Sequence, residues 1–68
     1  MNHIAWALSS AFDASQTTDV GFVEWLGLDV SATTVRHWRL GVQYPQPNNE
    51  RLVIAALAAR GYWDGYWE

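Results

Sequence analysis

The sequence predicts an all-α fold, a compact domain of four to five helices followed by an aromatic C-terminal tail. Apolar residues recur every three or four positions in four successive segments, which is the spacing of one face of an α-helix. Ser, Thr or Asn residues precede three of these segments, and Gly follows three of them, as is typical of helix ends. Only the tail, 61–68, has a composition that favours strand or loop.

The first helix is predicted over 3–12, where Ile4, Leu8 and Phe12 fall on one face. The polar segment 13–19 is interpreted as a turn that ends this helix.

The second helix is predicted over 18–27, with Thr17 or Thr18 as its N-cap and Gly27 at its end. Its inner face is predicted from residues spaced three apart, which are Val20, Val23 and Leu26.

The third helix is predicted over 31–40, with Ser31 as its N-cap and Gly41 directly after it. Val35 and Trp38 are three residues apart and are expected to point into the core together.

The fourth helix is predicted over 49–60, capped by Asn48 or Asn49 after an extended loop that contains two Pro residues. The inner stripe of this helix is predicted to comprise Val53, Ala56 and Leu57.

The 68 residues are enough for a single domain, whose stability is expected to be marginal because so short a chain buries only about 60% of its unfolded surface. The chain has no Cys, which excludes disulfides and thiolate metal sites and fits a reducing cytoplasm. No run approaches the ~18 apolar residues of a membrane span, and the N-terminus lacks the basic start of a signal peptide. We therefore expect a cytoplasmic protein, mature from Met1, that does not enter a membrane.

The charge balance is acidic, with seven Asp or Glu, four Arg and no Lys, for a net charge of −3. This total argues against broad, charge-driven binding of nucleic acid. However, Arg36 and Arg39 lie in the third helix, and Arg51 and Arg60 lie in the fourth. The distribution therefore permits a local basic face.

The third helix has the character of a helix that enters the major groove of DNA. Such a helix needs one apolar face for the core, and polar or Arg side chains near its N-terminal half to reach base edges. Arg36 could bind guanine through two hydrogen bonds and Arg39 could bind a phosphate, while hydroxyl groups and N-terminal amides could hold phosphates as well. The alternative is an ordinary amphipathic surface helix whose Arg residues pair with carboxylates, and periodicity alone does not decide between the two.

The pattern S-x-x-T-V-x-x-W-x-x-G over 31–41, followed by Pro45, resembles the recognition-helix segment of the Cro/C1-type (Xre-like) helix-turn-helix family. The resemblance covers roughly residues 18–60. It implies a helix-turn-helix domain and a small repressor of the kind that phages and plasmids encode. The family's base-reading positions correspond here to Ala32, Thr33, Arg36 and His37. This chain departs from the family in having three residues between Gly27 and Ser31 where one is usual.

These observations together predict sequence-specific binding to double-stranded DNA by a dimeric transcriptional repressor that occupies an operator. The residues expected to contact DNA are Ser31, Ala32, Thr33, Thr34, Arg36, His37, Arg39 and Arg51. The alternative is that the same fold serves as a protein-interaction module, such as an anti-repressor, antitoxin or inhibitor. The acidic charge, the missing Lys and the excess of aromatic residues favour this alternative.

The tail contains four aromatic residues, Tyr62, Trp63, Tyr66 and Trp67. They could cap the core, form a dimer interface, or stack on single-stranded bases. Stacking on bases ranks last because Asp64 and Glu68 would repel phosphates, so core and dimer contacts are expected. A two-fold dimer would present two recognition helices about one turn of DNA apart.

The sequence offers no pattern typical of an enzyme, a metal site or a cofactor site. His3 and His37 lie far apart in the chain, and neither belongs to an HxxxH pair. No nucleophile and base occur at a recognisable spacing. We therefore expect no catalysis, no metal and no cofactor.

Overall fold

A computed structural model describes residues 2–63 of the chain. Within this range all regular structure is helical and no strand occurs. The four helices are α1 (His3–Ser15), α2 (Asp19–Leu26), α3 (Ala32–Leu40) and α4 (Pro47–Ala59). The predicted all-α architecture with four helices is therefore confirmed for this part of the chain. No helix within it has the length and apolar character needed to cross a membrane.

The ends of α2 and α3 lie where the sequence places them. Thr18 and Ser31 are the N-caps, and their side chains accept hydrogen bonds from the backbone N–H groups three residues later. Gly27 and Gly41 follow these helices with φ of 73° and 78°. Glycine adopts this left-handed conformation at little cost, which explains why both helices end there.

Two helix boundaries differ from the prediction. Helix α1 continues to Ser15 because the polar segment after Phe12 contains neither Gly nor Pro, and it ends where Gln16 adopts φ of 56°. Helix α4 begins at Pro47, so the prediction that Asn48 or Asn49 caps it was wrong. Proline fits the first helical position because it has no N–H to leave unpaired there.

The core is one apolar cluster to which all four helices contribute. In α2 the buried face comprises Phe22, Val23 and Leu26, whereas Val20 is 63% exposed. The prediction that Val20 faces inward was therefore wrong. Because a helix has 3.6 residues per turn, residues spaced three apart do not stay on one face. Phe22 therefore takes the inward position that Val20 was expected to hold.

Aromatic residues close the core near the end of the described chain. Tyr62 and Trp63 are partly buried and lie against the apolar cluster. The Tyr62 ring is 6.0 Å from that of Trp25, and the Trp63 ring is 4.7 Å from that of His3, edge to face. These two residues contact the core, as expected. Tyr66 and Trp67 lie outside the described residues.

Removing the Ser31 hydroxyl is expected to destabilise the protein by about 1 kcal/mol, which lowers Tm by about 4–8 °C in a domain of this size. The Ser31 Oγ accepts a hydrogen bond from the backbone N–H of Thr34 at 3.1 Å, and alanine leaves that N–H without it. Thermal unfolding followed by circular dichroism measures the effect. Ser31→Asn, which retains a capping oxygen, is the control and is expected to unfold close to the wild-type temperature.

Candidate nucleic-acid interface

Helix α3 is anchored to the core by two residues and exposes a polar face beside them. Val35 is 2% exposed and Trp38 is 4% exposed, so both inward predictions are confirmed. Thr33 and Arg36 are exposed, and Ser31 is exposed at the N-terminal end of the helix. The remaining candidates at this end, Ala32, Thr34 and His37, are partly buried.

Arg36 is the cation that α3 presents to solvent. Its side chain forms no ion pair with any carboxylate of residues 2–63, including Glu24 and Asp29 on the neighbouring segments. Its five N–H donors are therefore available to a planar acceptor such as a guanine edge or a phosphate. Arg51, on α4, is likewise exposed and makes no ion pair within the described chain.

Arg39, which is expected from the sequence to bind a phosphate, is placed differently from Arg36 because its side chain already pairs with a carboxylate. Its Nη2 donates to the Asp19 Oδ1 at 2.9 Å, and its guanidinium carbon lies 4.0 Å from the centre of the Phe12 ring. The Arg39 side chain is only 15% exposed. Its charge is already compensated by Asp19, so it contributes little to a basic face.

The hydroxyl groups at the start of α3 are partly engaged with each other. The Ser31 Oγ lies 2.7 Å from the Thr34 Oγ1 and also caps the helix. Thr33 lies between them in sequence and is exposed. Of the three hydroxyls, that of Thr33 is the one without an intramolecular hydrogen bond in the described chain.

A polar cleft of about 420 Å³ opens beside α3, and it is not among the features predicted from the sequence. The loop after α3 and the first turn of α4 form its other walls. Its lining comprises Thr34, Trp38, Gln43, Tyr44, Gln46 and Asn49. Three of these residues carry amide side chains, which donate and accept hydrogen bonds without carrying charge. The clustering of amides around two Pro residues is the sequence signal that could have indicated the cleft.

A hydrogen bond between Tyr44 and Glu50 closes the loop against α4. The Tyr44 hydroxyl donates to the Glu50 Oε2. This bond, followed by burial and by repulsion from the same carboxylate, raises the pKa of Tyr44 from 10.0 to about 12. The contact ties the border of the cleft to the first turn of α4.

The Tyr44 contact is expected to stabilise the fold in a pH-dependent way. Because the folded-state pKa exceeds the unfolded value, the stabilisation is complete below pH 10.0 and is lost as pH rises through about 12. Urea unfolding at a series of pH values should therefore show the wild type losing stability faster than Tyr44→Phe between these limits. Parallel pH profiles for the two proteins would contradict this role of the hydrogen bond.

No group of three or more His, Cys, Asp or Glu within the described part of the chain could hold a metal ion. Comparison of the chain with family models, with curated proteins and with solved structures found no match.

Proposed function

We propose that this protein binds double-stranded DNA in a sequence-specific manner, with α3 in the major groove, and regulates transcription as a repressor of the helix-turn-helix type. The observation that carries the proposal is the division of α3 into two faces. Val35 and Trp38 are buried, while Thr33 and Arg36 are exposed within about one and a half turns of the capped N-terminus. Base-reading helices present Arg and short polar side chains from this N-terminal half.

Each exposed residue has a defined part in the proposed interface. Arg36 donates two hydrogen bonds to the O6 and N7 atoms of a guanine, and Thr33 contacts a neighbouring base edge. Ala32 approaches a thymine methyl group, and His37 donates from the next turn of the helix. Ser31 lies at the level of the DNA backbone, where the N-terminal amides of α3 also point.

Uncharged groups supply most of the backbone contacts in this proposal. The amides of Gln43, Gln46 and Asn49 border the cleft beside α3 and can donate to phosphate oxygens. Arg51 adds one cationic contact from α4. Because neutral donors release no counterions, the affinity depends on few charge contacts.

A dimer fits the proposal because a single α3 offers only a few base contacts. A homodimer would join two half-sites about one helical turn apart and would multiply the weak affinity of each chain. Aromatic side chains are frequent anchors of such interfaces, and Trp6, Tyr62 and Trp63 lie together at one end of the described fold. Tyr66 and Trp67 follow in the sequence after Asp64 and Gly65.

The test is a binding titration with the duplex upstream of the protein's own coding sequence, repeated over a series of salt concentrations. We expect binding with a shallow slope of log K against log salt, about −1 per chain, because Arg51 supplies the one cationic phosphate contact of the proposed interface. A scrambled duplex of equal length is the control. Equal affinity for both duplexes, or no binding at low salt, would refute the proposal.

The second candidate is a protein-interaction module of the anti-repressor, antitoxin or inhibitor type. It is favoured by the apolar residues at the C-terminal end of α3, where Leu40 is 48% exposed and Val42 directly follows Gly41 in an exposed position. Leu40 lies one turn after Arg36, so the two share a face of the helix. A protein partner would be expected to bury Leu40, whereas DNA would chiefly contact the other end of the helix.

A further inference from the structure

The C-terminal end of α3 is held by three contacts that all involve Arg39. Its guanidinium donates to Asp19 in the first turn of α2 at 2.9 Å and lies over the Phe12 ring of α1 at 4.0 Å. Its carbonyl oxygen accepts a hydrogen bond from the Ser9 hydroxyl of α1 at 3.2 Å. One residue therefore joins α3 to both of the helices against which it lies.

These contacts are directional, unlike the apolar contacts of the same helix. Val35 and Trp38 gain free energy from burial, which constrains the distance between helices more than their angle. A charged hydrogen bond weakens when its geometry is lost, and a largely buried guanidinium without its carboxylate is costly. The Phe12 ring also lies edge to face with the fully buried Phe22 at 5.2 Å, so the Arg39 contact is continuous with the core.

We propose that Asp19 and Arg39 are positioning residues, which set the angle of α3 against α2 and thereby place Thr33 and Arg36 for DNA binding. Neither residue of the pair contacts DNA. This inference rests on the proposed function, since it explains how α3 is aimed. It assigns to the acidic Asp19 a favourable effect on binding to a polyanion, which is opposite to what net charge alone predicts.

The experiment compares Asp19→Asn with Glu24→Gln by titration of the duplex upstream of the protein's own coding sequence. Both variants remove one negative charge from α2, but Glu24 is exposed and forms no ion pair in the described chain. Affinities are compared under conditions in which circular dichroism shows every protein to be fully folded. We expect Asp19→Asn to bind about 2- to 30-fold more weakly, the range found for residues that alter coupling without touching a ligand. Glu24→Gln should bind as tightly as the wild type or more tightly.

Asp19→Glu tests the same contact by restoring the carboxylate, and it should recover most of the affinity that Asp19→Asn loses. If Asp19→Asn binds as tightly as Glu24→Gln, electrostatics alone governs the effect and the positioning role is refuted. A loss of stability in Asp19→Asn without a change in the affinity of the folded protein refutes it equally.

A second measurement keeps the inference separate from the proposed function. Residual dipolar couplings of the free proteins report the angle between α2 and α3 without any DNA. We expect this angle to change in Asp19→Asn and to stay unchanged in Glu24→Gln. An unchanged angle in Asp19→Asn overturns the inference even if the wild type binds DNA. Absence of DNA binding by the wild type refutes the proposed function. In that case the measured angle between α2 and α3 still shows whether the Asp19–Arg39 pair orients α3.

Discussion

Phe22→Ala is expected to lower the free energy of unfolding by about 3–5 kcal/mol, the largest loss of stability expected for any single substitution considered. The Phe22 ring is fully buried, and it contacts the rings of Phe12 and Trp25 at centroid distances of 5.2 and 5.7 Å. Replacing a buried Phe with Ala costs about 3–5 kcal/mol. A domain of this length has a total stability of about 3–10 kcal/mol, so one substitution removes a large share of it. Urea unfolding followed by circular dichroism measures the loss.

Val20→Ala is the matched control for this prediction because it lies two residues earlier on the same helix. The Val20 side chain is largely exposed, and its truncation is expected to change stability by less than about 0.5 kcal/mol. A destabilisation by Val20→Ala equal to that of Phe22→Ala would show that α2 presents a different face to the core.

Arg36→Ala is expected to weaken specific DNA binding by about 5- to 150-fold, the equivalent of about 1–3 kcal/mol for one bidentate contact with guanine. Folding stability should change little, because the Arg36 side chain is exposed and pairs with no carboxylate of residues 2–63. Fluorescence anisotropy with a labelled duplex gives the affinity, and thermal unfolding of the same sample gives the stability.

Two controls separate base recognition from charge in the Arg36 experiment. Arg36→Lys keeps the charge but cannot form the planar pair of hydrogen bonds, so it should lose specificity while retaining much of the nonspecific affinity. Arg60→Gln removes a charge at the far end of α4, where Arg60 lies over the Trp25 ring at 5.2 Å. A similar loss of affinity in Arg60→Gln and Arg36→Ala would indicate a general effect of charge.

Local signals in the sequence were sufficient to predict the parts of the fold that depend on neighbouring residues. Ser31, Gly27 and Gly41 are predicted as helix ends, and the cap of α2 is narrowed to Thr17 or Thr18, because caps and left-handed glycines act within a few residues of each other. Spacing was also sufficient for Val35 and Trp38, which are three residues apart and share the buried face of α3.

The features that depend on contacts between distant residues could not be predicted in this way. The Arg39 side chain contacts Asp19, which is 20 residues earlier, and Phe12 on another helix, and these contacts determine how far it is exposed. A sequence pattern shows that both charges exist but does not show that α2 and α3 bring them together. The cleft likewise could not be predicted, because Thr34 and Asn49 come to line one cavity only when the loop between α3 and α4 folds.

The most direct test of the central claim is selection of binding sites by the protein from a pool of randomised duplexes. The wild type should enrich one motif, arranged as two half-sites if the protein is a dimer. Arg36→Ala should lose the preference for guanine at one position of each half-site, while Leu40→Ala should select the wild-type motif. The claim that α3 reads DNA would be contradicted if the wild type enriched no motif, or if Arg36→Ala selected the wild-type motif unchanged.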